Sequence, residues 1–284
     1  MNTSQASSQT DQKSTALKRT AVHIRNGHHR GKTLRNLARA FTFITIGAMA
    51  VAQTNEWTNP AGGSWSTGTN WALGVPTAAQ DAVNTLLGAT ITFDTNSTVN
   101  SVLANSDLRL LGGSLAGTQA SAGSTIQVNS VLSFEGGFLS NFTIQPGTGG
   151  SVTFNGNGNN GLSQVVSAAN LTFGDGSFVQ FFNESTVTGV IAMSQEAGNG
   201  QILFRDGNAR LTLSGAGRMR GFGTTANNGG GGTLDNDGVI SADVTGKVLR
   251  LGHSNTTGSG VFEARNGGTL AISTGVAPPR NRSE

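Results

Sequence analysis

The sequence predicts an all-β fold of the parallel β-helix (β-solenoid) type, and two patterns carry this prediction. The first is an apolar–polar–apolar triplet that recurs nine times beside turns of small residues. Alternation with period two places successive side chains on opposite faces of a strand, as in short strands with one face in a core. The triplets are Ile91-Thr92-Phe93, Leu108-Arg109-Leu110, Ile126-Gln127-Val128, Leu132-Ser133-Phe134, Val152-Thr153-Phe154, Leu171-Thr172-Phe173, Leu211-Thr212-Leu213, Leu249-Arg250-Leu251 and Leu270-Ala271-Ile272.

The second pattern is the return of equivalent residues at a fixed interval. Residues 108–115 match residues 132–139 at a spacing of 24, and Leu249 and Leu251 match Leu270 and Ile272 at a spacing of 21. Vertical stacking of parallel strands requires such matching, whereas antiparallel sandwiches do not. These two spacings bracket the length of one coil. With strands about 4.8 Å apart, the repeats predict about seven or eight coils and a rod about 35–40 Å long.

The composition agrees with a fold of many corners. The chain has 42 glycines and five prolines, and a glycine inside a helix costs about 1 kcal/mol relative to alanine. The chain has no cysteine, which excludes disulfides and thiolate metal sites. Stability must then come from packing and hydrogen bonds.

The first segment, residues 1–52, has the pattern of a secretory signal peptide with a long basic n-region. It holds eight of the 18 Lys and Arg residues and one of the 15 acids. Its apolar run, residues 40–52, ends in Ala50-Val51-Ala52 and is too short to span a membrane as a helix. We therefore predict cleavage near Ala52 and a secreted or cell-surface location. An attached amphipathic N-terminal helix, or a start site further downstream, is the alternative.

The charge outside this segment reverses sign. Ten basic and 14 acidic residues remain, which gives a net charge of −4. Such a surface offers no general attraction for a phosphate backbone, so we predict that nucleic acid is not a partner. We also predict no transmembrane segment in the mature chain.

The second segment, residues 53–102, contains all three tryptophans and is predicted to be an N-terminal cap with the first strands. A stack of coils exposes its first apolar layer, and large aromatic rings can cover it. The capping residues would be Trp57, Trp65, Trp71, Pro76 and Asp81, which resemble an N-terminal module of bacterial exported β-helix proteins. A carbohydrate-stacking platform is the alternative function of clustered tryptophans.

The third segment, residues 103–275, carries the repeats, and residues 276–284 form a polar tail. Residues 234–251 and 260–270, with their Asn-Asp-Gly and Gly-Gly-Thr-Leu elements, resemble repeats of bacterial autotransporter passenger proteins. The resemblance implies a right-handed parallel β-helix and a role as surface adhesin, scaffold or carrier of enzyme modules. No anchor pattern follows residues 276–279, which predicts either a released protein or a truncated passenger fragment.

Corners and loops are predicted from glycine and asparagine. The pairs Gly112-Gly113 and Gly136-Gly137 are expected at equivalent corners that need positive φ. Residues 155–161 and 224–232 lack apolar positions and are expected to bulge from the rod as loops.

The sequence offers few residues for a catalytic or metal site after residue 52. His253 is the only histidine after residue 52, and it follows a strand triplet, so we expect an exposed side chain at a corner. A Ser-His-Asp triad would have to use this residue, and a zinc site would lack ligands. We therefore predict no enzyme activity and no cofactor.

One surface nevertheless holds candidate ligand-binding residues. Asp235 and Asp237 alternate along an extended chain, which would suit calcium or acid–base chemistry, but their Asn-Asp-Gly context favours a turn. Arg205, Asp206 and Arg210 form a second charged group, expected two coils earlier. Arg205, Arg210, Arg218 and Arg220 could also form a basic strip for an anionic glycan, but Asp206 lies between them in sequence, which favours a solvated face.

The function expected from these observations is a secreted or surface-exposed bacterial β-helix with a structural or adhesive role. Its outward Ser, Thr and Asn rows would bind glycans or other cell-surface molecules without catalysis. The alternatives are a polysaccharide-cleaving β-helix that uses surface carboxylates, and a passenger fragment without independent function.

Overall fold

The computed structural model describes residues 52–119, 123–156, 158–174, 176–194, 201–253 and 255–273. The predicted signal segment before Ala52 and the predicted polar tail, 276–284, lie outside the described residues. The described residues contain 28 strands and one short 3₁₀ helix, Gly68–Asn70, joined by turns and irregular segments.

The strands form three parallel sheets, here called I, II and III. Sheet I contains β1 (Gln53–Glu56), β3 (Gln80–Asn84), β6 (Ser101–Ala104), β9 (Ser124–Val128), β12 (Phe142–Pro146), β15 (Val166–Ser167), β18 (Glu184–Val187), β21 (Arg210–Leu213), β23 (Thr233–Asn236) and β26 (Asn255–Thr257). Sheet II contains β2 (Gly63–Ser64), β4 (Thr90–Phe93), β7 (Asp107–Leu110), β10 (Val131–Phe134), β13 (Ser151–Phe154), β16 (Leu171–Phe173), β19 (Val190–Ser194), β24 (Val239–Ala242) and β27 (Val261–Ala264). Sheet III contains β5 (Asn96–Val99), β8 (Ser114–Gly117), β11 (Phe138–Ser140), β14 (Asn160–Ser163), β17 (Val179–Phe182), β20 (Ile202–Phe204), β25 (Val248–Gly252) and β28 (Thr269–Ile272). The long strand β22 (Arg218–Asn227) begins in sheet II and continues into sheet III.

From β3 onward the chain visits sheets I, II and III in turn, and strands pair with their equivalents in the next coil. Leu108 lies beside Leu132 and Leu115 beside Leu139, at the predicted spacing of 24. Leu249 likewise lies beside Leu270. The predicted parallel β-helix is therefore confirmed.

The coils differ in length more than the repeats indicate. The starts of β9 and β12, Ser124 and Phe142, are closer in sequence than any repeat interval predicts. The starts of β1 and β3, Gln53 and Gln80, are further apart than any repeat interval predicts. The register between paired strands is nevertheless maintained, because the corners between strands differ in length and the strands do not shift. Eight strands of sheet I, β6 to β26, follow residue 100, which agrees with the predicted seven or eight coils.

The core is a set of apolar columns that run along the rod. Phe134, Phe154 and Phe173 stack, with ring centroids 4.8 and 4.9 Å apart. This spacing is that of neighbouring strands, so each ring packs on the ring of the next coil. The column beside it, entirely buried in sheet II, contains Ile91, Leu108, Leu132, Val152, Leu171, Ile191, Met219 and Ile240.

The two glycine pairs lie at equivalent corners, each with one positive φ, as predicted, but the positive φ falls at a different position within each pair. Positive φ occurs at Gly113 (67°) and Gly136 (126°), which are not equivalent positions in their coils. A side chain at Gly113 would meet the carbonyl oxygen of Thr95, whereas Gly112 faces open space. The glycine pairs therefore serve different corner geometries, because the turn from sheet II to sheet III changes between coils.

The two predicted loops are shorter than expected. Strand β14 begins at Asn160, inside the predicted loop 155–161, and β22 extends to Asn227, inside the predicted loop 224–232. Buried polar residues explain both differences. Asn160 is fully buried and donates to the carbonyl of Phe178, and Thr225 is fully buried in the strand. Hydrogen bonding lets these polar residues occupy strand positions for which the sequence pattern predicts apolar ones.

Candidate ligand-binding surface

The outward face of sheet I carries a continuous line of side chains, here called the threonine row. Neighbouring members pair from one strand to the next, and all are partly exposed. With strands about 4.8 Å apart, the row extends roughly 30 Å along the rod. Five of its seven members carry a threonine hydroxyl, which can donate and accept a hydrogen bond. The members are Thr125, Thr143, Val166, Thr186, Thr212, Asp235 and Thr257.

Asp235 is held in this row by two partners. Its carboxylate lies 2.6 Å from the Arg210 guanidinium and accepts a 2.8 Å hydrogen bond from the Thr257 hydroxyl. Partial burial raises the pKa of Asp235, but the hydrogen bonds from Arg210 and Thr257 outweigh it and hold the pKa below its ordinary value. The sequence predicts Arg210 two coils before Asp235, whereas β21 and β23 are adjacent strands. Asp235 is thus a charged, ion-paired member of the row.

Asp237 makes a different contact from the turn that its sequence context predicts. Its carboxylate accepts hydrogen bonds from the backbone N–H and the hydroxyl of Ser259, at 3.0 and 3.2 Å, in the next coil. The local turn bond is made by Asn236, whose side-chain oxygen accepts from Gly238 N–H at 3.1 Å. Both predicted acids therefore link coils to one another, because stacking brings donors from the next coil within reach.

The remaining predicted residues are separated by the fold. Arg205 and Asp206 lie in the corner after β20, where the Asp206 carboxylate accepts from Asn208 N–H at 3.0 Å. Arg210 belongs to sheet I, whereas Arg218 and Arg220 point outward from sheet II. The basic strip considered from the sequence therefore does not form.

A polar groove of about 730 Å³ adjoins the first part of the threonine row and was missed by sequence reasoning. Gln127, two residues after Thr125, lines it together with Asn105 and Asn129. The Asn129 amide donates to Asn105 at 2.5 Å, and Gln127 donates to Asn129 at 3.3 Å. Exposed Leu87 forms an apolar side of the groove. The spacing of 24 between the two asparagines was the signal that could have revealed it.

His253 is buried, which corrects the prediction of an exposed side chain. It is 3% exposed, lies 5.2 Å from the Phe204 ring, and bonds through its two nitrogens to Thr225 and Thr256, each at 2.6 Å. Burial lowers its pKa from 6.5 to about 4. The alternation of β25 continues past Leu251, so Gly252 is exposed and the His253 side chain points into the core.

The three tryptophans form one buried cluster. Trp71 packs edge-on against Trp57 and Trp65, with centroids 5.0 and 4.7 Å away. Trp65 in turn packs on Phe93, at 5.3 Å, which begins an apolar column of sheet II. The rings are at most 4% exposed, so no ring face is open for a sugar to stack on.

The two other residues of the predicted cap lie beside this cluster in sequence and contact the following coil. The carbonyl of buried Pro76 accepts from the Ser97 hydroxyl at 3.4 Å. The Asp81 carboxylate accepts from Asn100 and Ser101 at 2.7 and 2.6 Å. These bonds tie the first coils together.

Two kinds of feature are absent from the described residues, a cluster of metal ligands and a membrane-spanning helix. They contain no group of three or more His, Asp or Glu side chains placed to hold a metal ion. None of their helices is both long enough and apolar enough to cross a membrane.

Comparison with protein-family models, with curated proteins and with solved structures yields no match to this chain. The passenger-protein resemblance therefore stays a prediction, and function has to be inferred from the surface itself.

Proposed function

We propose that this chain is an exported bacterial β-solenoid with a structural or adhesive role, which binds uncharged glycan chains along the threonine row without cleaving them. The observation that carries the proposal is the row itself. It presents threonine hydroxyls on five of seven successive strands of one sheet, and a linear polymer of hydroxyl-bearing units can bond to several of them at once.

The chemistry of the acids favours binding over cleavage. A glycosidase needs one carboxyl group that carries a proton and a second that attacks or activates water. Asp235 is paired with Arg210, and its lowered pKa keeps it ionised. Asp237 holds the next coil through Ser259. Both acids thus have contacts that stabilise the rod.

Replacing two row hydroxyls tests the binding surface. We expect Thr186→Val with Thr212→Val to weaken binding of a glycan found on an array by about tenfold, since valine keeps the shape and loses the hydrogen bonds. The measurement is a binding titration with that glycan. Thr172→Val, on the outward face of sheet II, is the matched control and should leave the affinity unchanged.

Two results would contradict this proposal. One is the absence of glycan binding on the array, or binding that the double variant retains in full. The other is release of soluble sugar from a polysaccharide by the wild-type chain, with loss of that release in Asp235→Asn. The second result would favour the polysaccharide-cleaving alternative.

Export is the second part of the proposal and rests on residues 1–52. The basic residues, the apolar run and Ala50-Val51-Ala52 form a signal-peptide pattern. We expect N-terminal sequencing of the protein from a bacterial host to begin at or near Gln53. Recovery of the intact N-terminus from the cytoplasm would contradict export.

A further inference from the structure

A second groove lies on the outward face of sheet II, near the last coils, and is here called the arginine groove. It has a volume of about 320 Å³. The strands β22, β24 and β27 form its floor, with Arg220, Ser241 and Glu263 side by side in register. Its polar lining consists of Arg218, Arg220, Ser241, Asp243, Glu263 and Arg265, with Asn266 at one side.

Two of the three arginines in this groove form no ion pair with any described residue. Arg109, Arg210 and Arg265 each form an ion pair, at 2.6, 2.6 and 2.7 Å. Within the part of the chain that the structure describes, no carboxylate pairs with Arg218 or Arg220. Both are exposed and lie two residues apart on the same side of one strand. Such neighbours repel, and an oxyanion bound between them would relieve the repulsion.

The rest of the lining indicates what the oxyanion is attached to. Glu263 is paired with Arg265, and Asp243 accepts from Gly221 N–H at 3.0 Å. These carboxylates disfavour a densely charged polyanion such as nucleic acid. They can accept hydrogen bonds from hydroxyls, and Ser241 and Asn266 can donate or accept them.

We propose that the arginine groove binds a sugar of an acidic polysaccharide, with Arg218 and Arg220 bonding to its carboxylate or sulfate. Guanidinium groups bond such oxyanions through two parallel N–H groups, which fixes the orientation of the sugar as well as its charge. This site lies on sheet II and does not depend on the threonine row of sheet I. A negative result for the arginine groove would therefore leave the proposed function of the threonine row untouched, and the reverse also holds.

The test is a titration of the full chain with four probes at low salt. They are a short oligogalacturonate, a sulfated oligosaccharide, an uncharged oligosaccharide and single-stranded DNA. We expect one or both acidic saccharides to bind, with the preferred one identifying the oxyanion. In Arg218→Gln with Arg220→Gln, we expect this affinity to fall at least about tenfold.

Two further variants complete the design. Arg250→Gln removes an exposed arginine from the outward face of sheet III and should leave the affinity unchanged. Arg218→Lys with Arg220→Lys keeps both charges, and we expect an intermediate loss because ammonium groups lack the paired N–H geometry. This variant also serves if the glutamine variant does not fold.

Three results would overturn the proposal. They are no binding of either acidic saccharide, binding that the glutamine and lysine variants both retain in full, and tighter binding of DNA than of the acidic saccharides. The last result would indicate a general attraction for polyanions.

Discussion

Acidification from pH 7 to pH 4 is expected to lower the free energy of unfolding by about 3 kcal/mol through His253 alone. The pKa of this histidine is 6.5 in a solvated chain and about 4 in the folded protein. Below pH 6.5 the unfolded chain therefore binds a proton that the folded protein does not. The contribution of His253 to the free energy of unfolding is therefore fully present at neutral pH. It decreases as the pH falls from 6.5 to 4, and it changes little below pH 4.

The pKa of His253 is lowered because its imidazole ring is buried among uncharged groups. It contacts the Phe204 ring and the hydroxyls of Thr225 and Thr256, none of which carries a charge. Neutral imidazole can accept through one nitrogen and donate through the other, so the two threonines satisfy it. An imidazolium in the same place would lose its hydration without gaining an anion.

Chemical denaturation at several pH values measures this effect. Between pH 7 and pH 5 the wild-type chain should lose about 2 kcal/mol, and His253→Gln should lose much less from a lower starting stability. This range lies above the ordinary pKa values of the carboxyl groups, including Asp235 and Glu135, whose pKa values are lowered further. Equal pH dependence of the two proteins would show that His253 is not a buried neutral group.

Replacement of Trp71 by alanine is expected to destabilise the protein by roughly 3–5 kcal/mol. Its ring is 4% exposed and contacts both other tryptophans, and its indole N–H donates to the carbonyl of Trp65 at 2.9 Å. Truncation would leave a cavity between Trp57 and Trp65. The remaining rings cannot close it, because each is held by the backbone on which it sits.

The location of the effect tests the predicted role as a cap. Each coil of a solenoid contacts only its neighbours, so a defect at one end should loosen that end first. We expect amide hydrogen exchange in Trp71→Ala to accelerate in β1, β3 and β4 and to change little in β24 and β25. Leu87→Ala, at a side chain that is 83% exposed, is the control. Uniform acceleration along the chain would argue against a capping role.

The period-two alternation of apolar residues and the fixed spacing of equivalent residues were sufficient to predict the parallel β-helix. The triplets define strands by themselves, and the interval of 24 between Leu108 and Leu132 is the register that the structure shows. Stacking requires equivalent side chains to recur, so a linear pattern carries this information directly. Corner details were not predictable in the same way. The pairs Gly112-Gly113 and Gly136-Gly137 look alike in sequence, but positive φ falls on the second glycine of one and the first glycine of the other.

The sequence by itself therefore determined the strands that carry the triplets, their parallel stacking and the apolar columns, since these follow from alternation and from a repeat interval. Only the tertiary structure decided which side chains meet. It paired Arg210 with Asp235, placed Arg218 and Arg220 side by side with no ion pair among the described residues, and buried His253 in the core. These outcomes depend on contacts between residues far apart in the chain, and corners of varying length set which residues face each other.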